Sequence, residues 1–108
     1  MRVAMYYRNN DVRVEEMPVP KIGKGELLVK VMASGICGSD VMEWYRIKKA
    51  PRVLGHEIAG EIVEVGEGVR NYKKGDRVFV SHHVPCNTCR YCLSGYHTAC
   101  ETLHKTNY

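Results

Sequence analysis

The segment CNTCRYCLSGYHTAC, residues 86–100, contains four of the five cysteines of the chain. These cysteines follow the spacing C-x2-C-x2-C-x7-C, with small and turn-forming residues between them. Four thiolates on one short segment can surround a single Zn²⁺ tetrahedrally, with Zn–S distances of about 2.3 Å. Because four protein ligands leave no coordination position open, the spacing predicts a structural zinc bound by Cys86, Cys89, Cys92 and Cys100.

Other interpretations of these cysteines are disulfides, unligated thiols and an iron–sulfur cluster. The chain begins MRVAMYYR, with charges before any apolar run that a signal peptide needs, so we expect a cytoplasmic protein with reduced thiols. The bacterial iron–sulfur motif ends in Cys-Pro, whereas Glu101 follows Cys100 here. His82, His83 and His97 lie beside or inside the segment, either as solvated side chains, as hydrogen-bond partners of the ligands or as substitute ligands.

Alternating apolar and polar residues predict strands over residues 2–7, 12–17, 26–33, 56–65 and 77–81. Turn sequences such as NND at 9–11 and KGD at 74–76 separate them, and short strands at this spacing indicate a barrel or a sandwich. Ser39 or Asp40 is a candidate cap for a short helix containing Val41, Trp44 and Tyr45. After Ser81 the apolar residues show no helical or strand periodicity that would give an element a buried face. We therefore expect a loop lobe at about residues 82–104 that depends on metal.

Length and charge exclude several classes of protein. The 108 residues suffice for one domain but not for a complete multi-domain enzyme. The net charge of +4 comes from scattered basic residues, and no apolar run approaches the length of a membrane span. We therefore expect neither nucleic acid nor a membrane as a partner.

A second group of metal-binding side chains lies earlier in the sequence. Cys37 and His56 supply two of the three protein ligands that a catalytic zinc requires, so a third must come from elsewhere. Asp40 is suited to hold the outer nitrogen of His56, and Ser39 is suited to carry a proton. Residue types alone favour the simpler alternative, in which Cys37 and His56 are core residues.

Several motifs, taken together and in this order, resemble the zinc-containing, medium-chain alcohol and polyol dehydrogenases. They are GICGSD at residues 35–40, GHEIAG at 55–60 with VEVG at 63–66, GDRV at 75–78 and the cysteine segment. The resemblance covers nearly the whole chain and corresponds to the first part of the catalytic domain in that family. It implies a mainly β fold for residues 1–108: a GroES-like, partly open β-barrel with short helices and a zinc-binding loop lobe.

The resemblance also implies a role for each candidate site residue. Cys37 and His56 resemble two ligands of the catalytic zinc, and Glu57 resembles the nearby carboxylate that can approach the metal. Ser39 resembles the hydroxyl of the proton relay, and Asp40 resembles the hydrogen-bond partner of His56. The four cysteines of residues 86–100 resemble the ligands of the structural zinc.

In such enzymes zinc acts as a Lewis acid on an alcohol, and a hydride passes to NAD or NADP. The G-x-G-x-x-G fingerprint of a Rossmann domain does not occur in the chain. That domain and the third zinc ligand would both lie beyond Tyr108, so we expect an N-terminal piece of a longer, homo-oligomeric enzyme, inactive alone and prone to self-association. Met42 stands where many relatives have a relay histidine, and methionine cannot carry a proton.

Neither the substrate nor the choice between NAD and NADP follows from the sequence, although a polyol is favoured over a simple alcohol. Arg46 and the two lysines after it form either a polar pocket wall or a solvated surface. The alternative function is a stand-alone, zinc-stabilised binding or scaffold module without catalysis. A zinc ribbon that binds nucleic acid is less favoured, because ribbons divide their ligands into two separated pairs. Continuation of the gene into a glycine-rich βαβ segment would support the enzyme.

Overall fold

A computed structural model of the chain describes residues 1–106. Residues 107 and 108, with which the predicted domain ends, lie outside the described residues. The strands are β1 (Arg2–Arg8), β2 (Asp11–Glu16), β3 (Leu27–Ser34), β4 (Arg52–Val53), β5 (Ile58–Val65) and β6 (Arg77–Val80). The α-helices are α1 (Glu43–Arg46), α2 (Arg90–Leu93) and α3 (Glu101–Thr106), and 3₁₀ helices span Gly38–Val41, Ile47–Lys49 and His97–Ala99.

The strands form two antiparallel sheets of three strands each, in the orders β2-β1-β4 and β3-β5-β6. Neither sheet closes on itself, which confirms the prediction of a mainly β, partly open architecture. The alternating segments predicted five strands at nearly these bounds. The sixth strand, β4, has only two residues and therefore no alternation to detect, and it pairs with Met5 and Tyr6 of β1.

The predicted short helix is present, but its start differs from the prediction. Ser39 and Asp40 lie inside the 3₁₀ helix Gly38–Val41 instead of capping a helix that follows them. The N-cap is Cys37, whose backbone N–H donates to Asp40 Oδ2 over 3.0 Å. The acidic side chain thus closes the first turn from within and fixes the backbone at Cys37.

The cysteine segment is more helical than expected, because α2, the 3₁₀ helix His97–Ala99 and α3 follow one another there. Each of the three is at most six residues long, too short to show a helical period in the sequence. The buried core of this lobe consists of Cys92, Cys100 and Leu103, with Cys86 and Cys89 packed against it. A core so dependent on thiols has little apolar area with which to stabilise the lobe without metal.

Much apolar surface of the two sheets is exposed. The accessible surface is 8288 Å², whereas a self-contained monomer of 12.3 kDa exposes about 6,100 Å². Ile36 and Phe79 are 87% and 81% exposed, respectively. These side chains are the physical basis for the expected self-association, which stays a prediction. Among the described helices, none has the length and apolar character needed to cross a membrane.

Candidate metal centres and the adjoining cavity

The four cysteines of the lobe converge on one point. Cys89 caps α2, Cys92 lies within it, and Cys100 ends the 3₁₀ helix before α3. The four sulfur atoms, with Cys86 included, all lie within 4.8 Å of one another. The Cys89 and Cys92 sulfurs are 3.6 Å apart, far beyond the roughly 2.05 Å of a disulfide. Since a tetrahedron with bonds of about 2.3 Å has edges of about 3.8 Å, the arrangement fits a zinc ion.

Hydrogen-bond donors surround two of these sulfurs. The Thr88 hydroxyl donates to Cys86 Sγ over 3.4 Å, and this bond, followed by backbone N–H donors, lowers the pKa of Cys86 to about 5. Backbone N–H groups of Cys86 and Leu103 donate to Cys100 Sγ and lower the pKa of that thiol. Burial raises the pKa of Cys92 to about 12. Hydrogen bonds thus stabilise the thiolates of Cys86 and Cys100, while Cys92 needs a nearby cation in order to ionise.

The second centre consists of Cys37, His56 and Glu57, whose ligand atoms lie within 4.8 Å of one another. The sheet register explains how residues so distant in sequence meet. Ser34 at the end of β3 pairs with Ile58 at the start of β5, so the loop after β3 lies beside the loop before β5. Gly35 N–H donates to the Glu57 carbonyl over 2.8 Å, and a Cβ at Gly35 would collide with the Glu57 carboxylate. Sulfur, imidazole nitrogen and carboxylate oxygen are the three kinds of ligand with which proteins bind zinc.

Asp40 and Ser39 lie directly beside this centre. Asp40 Oδ1 is 3.5 Å from His56 Nδ1, within range to orient the ring, and Oδ2 of the same carboxylate accepts from the Cys37 backbone. The Ser39 hydroxyl donates to Cys37 Sγ over 3.5 Å. All the residues that the sequence analysis assigned to this centre are therefore gathered at one place.

Arg46 makes contacts in the site that its sequence position did not predict. It is the only charged side chain buried among the described residues, at 6% exposure, and it comes from the end of α1. Its guanidinium donates to Asp40 Oδ1 over 3.1 Å, to Ser39 Oγ over 2.8 Å and to the Ser39 carbonyl over 3.0 Å. The guanidinium also approaches His56 Nδ1 at 3.5 Å. Of the two interpretations of Arg46, the pocket wall is confirmed, because Arg46 lines the cavity beside this centre, and the guanidinium also holds the groups around the metal ligands in place.

Replacing Arg46 with lysine is expected to weaken zinc binding at the Cys37–His56 centre by about 10- to 100-fold. Lysine keeps the charge, but it cannot reproduce the planar set of donors that reaches both Ser39 and Asp40. Competition with a chelator on the complete gene product measures the affinity, and Arg90→Lys at an exposed position of the lobe is the matched control. Unchanged affinity at this centre in Arg46→Lys would contradict the role given to the guanidinium.

A cavity of about 370 Å³ adjoins the second centre. Its lining includes Ser39, Met42, Trp44, Tyr45, Arg46, Arg52, His56, His82 and His83. The size suits a small organic molecule. Met42 faces this space without a group that can transfer a proton, so a relay from Ser39 cannot pass through it.

His82 lies against His56, with the ring centroids 4.8 Å apart, and His83 stacks on His82 at 4.0 Å. Burial, followed by the nearby imidazoles of His83 and His56, lowers the pKa of His82. The register of the sheet provides the signal that the sequence analysis lacked. Ile58 pairs with Val80, so the residues two positions outward from that pair, His56 and His82, meet across the two strand ends.

The sequence profile of the alcohol dehydrogenase GroES-like domain matches residues 23–107. The chain is 42% identical over 110 residues to the sorbitol dehydrogenase of Bacillus subtilis, and 44% identical over 92 residues to the L-threonine 3-dehydrogenase of Pyrococcus horikoshii. These alignments cover 95% and 80% of the chain but only 31% and 26% of the two relatives.

The chain is also similar to part of longer dehydrogenases whose structures have been solved. The galactitol-1-phosphate dehydrogenase of Escherichia coli superimposes with a TM-score of 0.85 at 36% identity, over 94% of the chain and 30% of that enzyme. The cobalt- and zinc-bound thermostable alcohol dehydrogenase of Pyrobaculum aerophilum gives a TM-score of 0.81 at 31% identity, over 94% of the chain and 32% of that enzyme. The chain thus spans about a third of the length of the relatives that it matches.

Proposed function

The chain belongs to the family of alcohol dehydrogenases with a GroES-like domain, and from that premise we propose that it forms the N-terminal part of the catalytic domain of a zinc-dependent alcohol or polyol dehydrogenase. The observation that carries the proposal is the convergence of Cys37, His56 and Glu57 beside Ser39 at the edge of a cavity. A thiolate and an imidazole this close together supply two of the three protein ligands that a catalytic zinc requires, with the Glu57 carboxylate beside them.

Cys37 and His56 would hold the catalytic zinc, with Glu57 as a nearby carboxylate, and the four cysteines of the lobe would hold a structural zinc. When bound, the catalytic zinc supplies Lewis acidity that favours loss of the alcohol proton, and NAD or NADP accepts the hydride. The third permanent ligand and the dinucleotide-binding domain belong to the rest of the enzyme in this proposal.

Ser39 is the residue of this chain that would take up the alcohol proton. Arg46 has donors only, so Ser39 Oγ accepts the hydrogen bond between them, and its own hydrogen, directed at Cys37 Sγ, is the one that would be passed on. A second lone pair on Ser39 Oγ is then available for the substrate hydroxyl. Because Met42 cannot continue the relay, water or the cofactor ribose would take the proton from Ser39.

Asp40 would orient His56, and Arg46 would hold Asp40. The carboxylate lies between the imidazole and the guanidinium, at 3.5 Å from His56 Nδ1 and 3.1 Å from Arg46 Nη2. A ligand fixed in this way loses less orientational freedom when the metal binds. A polyol or another small alcohol is the proposed substrate, in keeping with the names of the sorbitol and galactitol-1-phosphate dehydrogenases to which the chain is similar.

The proposal is tested on the complete gene product loaded with zinc, by following reduction of NAD or NADP with a panel of alcohols and polyols. We expect alcohol-dependent reduction of one of the two cofactors, lost after chelation and recovered when zinc is added back. A protein that retains zinc in the cysteine lobe yet reduces neither cofactor with any alcohol would favour the stand-alone binding module instead.

A further inference from the structure

One buried donor near the proposed active site has no partner. Among the described residues, Arg52 Nε is the only buried side-chain nitrogen or oxygen atom without a hydrogen bond. Arg52 also forms none of the ion pairs of the described residues. Buried polar groups are nearly always paired in folded proteins, so a buried Nε atom without a partner, on a half-buried arginine, calls for a reason.

The neighbouring arginine shows what a satisfied guanidinium looks like in the same cavity. Arg46 is held by Asp40 and Ser39, so the Asp40 carboxylate balances its charge. Arg52 has no such carboxylate. Both arginines line the cavity beside Ser39 and His56, and no Asp or Glu of the described residues lines it with them. The wall of the cavity therefore carries a positive charge at Arg52 that no carboxylate of the described residues balances.

The backbone of Arg52 is positioned by a strand. It lies in β4, where it pairs with Tyr6 of β1, a side chain that is only 1% exposed. Only three residues separate Arg52 from His56, so their Cα atoms are at most about 14 Å apart. Ser39 and Arg52 line the same cavity of about 370 Å³, so a small molecule in that cavity can meet both side chains.

We propose that Arg52 binds an anionic group of the substrate, so that the enzyme acts on alcohols that carry a carboxylate or a phosphate at the end away from the reacting hydroxyl. This inference rests on the proposed function, because it places the reacting hydroxyl at Ser39. A guanidinium matches both groups, since its planar N–H donors bind two oxygens of a carboxylate or a phosphate at once. The other groups facing the cavity, among them Trp44 and Tyr45, are compatible with the carbon chain.

The test compares matched neutral and anionic alcohols on the zinc-loaded complete gene product. Butane-1,3-diol is paired with 3-hydroxybutyrate for the carboxylate, and sorbitol is paired with sorbitol 6-phosphate for the phosphate. We expect a higher kcat/KM for the anionic member of at least one pair, and the pair that shows the preference identifies the group. Higher kcat/KM for the neutral member of both pairs would overturn the inference.

The Arg52→Gln variant then assigns the preference to one residue. Its kcat/KM for the preferred anionic alcohol should fall about 100-fold, and its kcat/KM for the neutral partner should change less than about 3-fold. Arg90→Gln, at an exposed position of the lobe, is the control and should change neither. Equal losses on neutral and anionic alcohols would make Arg52 a structural residue and contradict the inference.

Calorimetric binding of 3-hydroxybutyrate and of sorbitol 6-phosphate to the wild-type protein separates this inference from the proposed function. Turnover of neutral alcohols with no binding of either anion would leave the dehydrogenase proposal standing and overturn the role of Arg52. Binding of one anion without turnover of any alcohol would support Arg52 as an anion site and overturn the dehydrogenase proposal. The same titration with Arg52→Gln should show binding at least about 10-fold weaker.

Discussion

Replacing Cys89 with serine is expected to release the zinc of the lobe and to unfold residues 86–103 locally. A serine hydroxyl is a poor zinc ligand compared with a thiolate, and three remaining sulfurs do not complete the tetrahedron. Binding of a structural zinc contributes about 10–16 kcal/mol in small zinc domains, a quantity that is linked to folding of the surrounding chain. Little apolar burial can replace this free energy of zinc binding. The buried core of the lobe is Cys92, Cys100 and Leu103, and two of these three are ligands themselves.

The measurement is zinc content by elemental analysis together with amide hydrogen exchange on the complete gene product. Exchange should accelerate at the N–H groups that donate to sulfur, those of Cys86, Thr88, Cys89 and Leu103, and should stay unchanged in β5. Ser94→Ala in the same lobe is the control for a small substitution that removes no ligand. Full zinc content with unchanged exchange in Cys89→Ser would contradict the assignment of the four cysteines to one metal.

Replacing Cys37 with serine is expected to lower kcat of the complete gene product by about 1,000-fold or more. The Cys37–His56 centre would lose one of its ligands, and with it the several kcal/mol of transition-state stabilisation that a Lewis acid provides. The change should leave the lobe intact, because none of the hydrogen bonds to the lobe sulfurs comes from the loop that holds Cys37. One zinc per chain should therefore remain after Cys37→Ser.

Initial rates with zinc in excess, combined with zinc content, provide the measurement. Met42→Leu is the matched control, since Met42 lines the same cavity and has no group that transfers a proton. Its kcat should stay within about 3-fold of the wild type. Wild-type activity in Cys37→Ser would return Cys37 to the interpretation of a small core residue.

The sequence predicted most strands because their signal is local. Alternation along each segment identified β1, β2, β3, β5 and β6, whereas the two-residue β4 depends on its partner strand and leaves no pattern of its own. The short helices of the cysteine lobe were missed for a similar reason. They are held by turns around the thiols and not by an apolar face with a helical period.

The candidate site likewise contains residues that could be identified from the sequence and residues that could not. Cys37, His56 and the four lobe cysteines were identifiable from residue type, spacing and resemblance, because only a few residue types bind zinc. Arg46 and Arg52 were not, because an arginine near an active site has the same sequence appearance as an arginine on a surface. Only the fold shows that Arg46 is buried against Asp40 and that Arg52 is left without a partner. The contact of His56 with His82 likewise depends on the register between β5 and β6.

The number of zinc ions bound per chain of the complete gene product distinguishes one metal centre from two, because the four cysteines of the lobe and the Cys37–His56 pair belong to separate groups of ligands. Elemental analysis of the purified protein should give two zinc ions per chain, one lost in Cys37→Ser and the other in Cys89→Ser. A wild-type protein that binds no zinc, or one in which both substitutions remove the same single ion, would contradict an account with one catalytic and one structural centre.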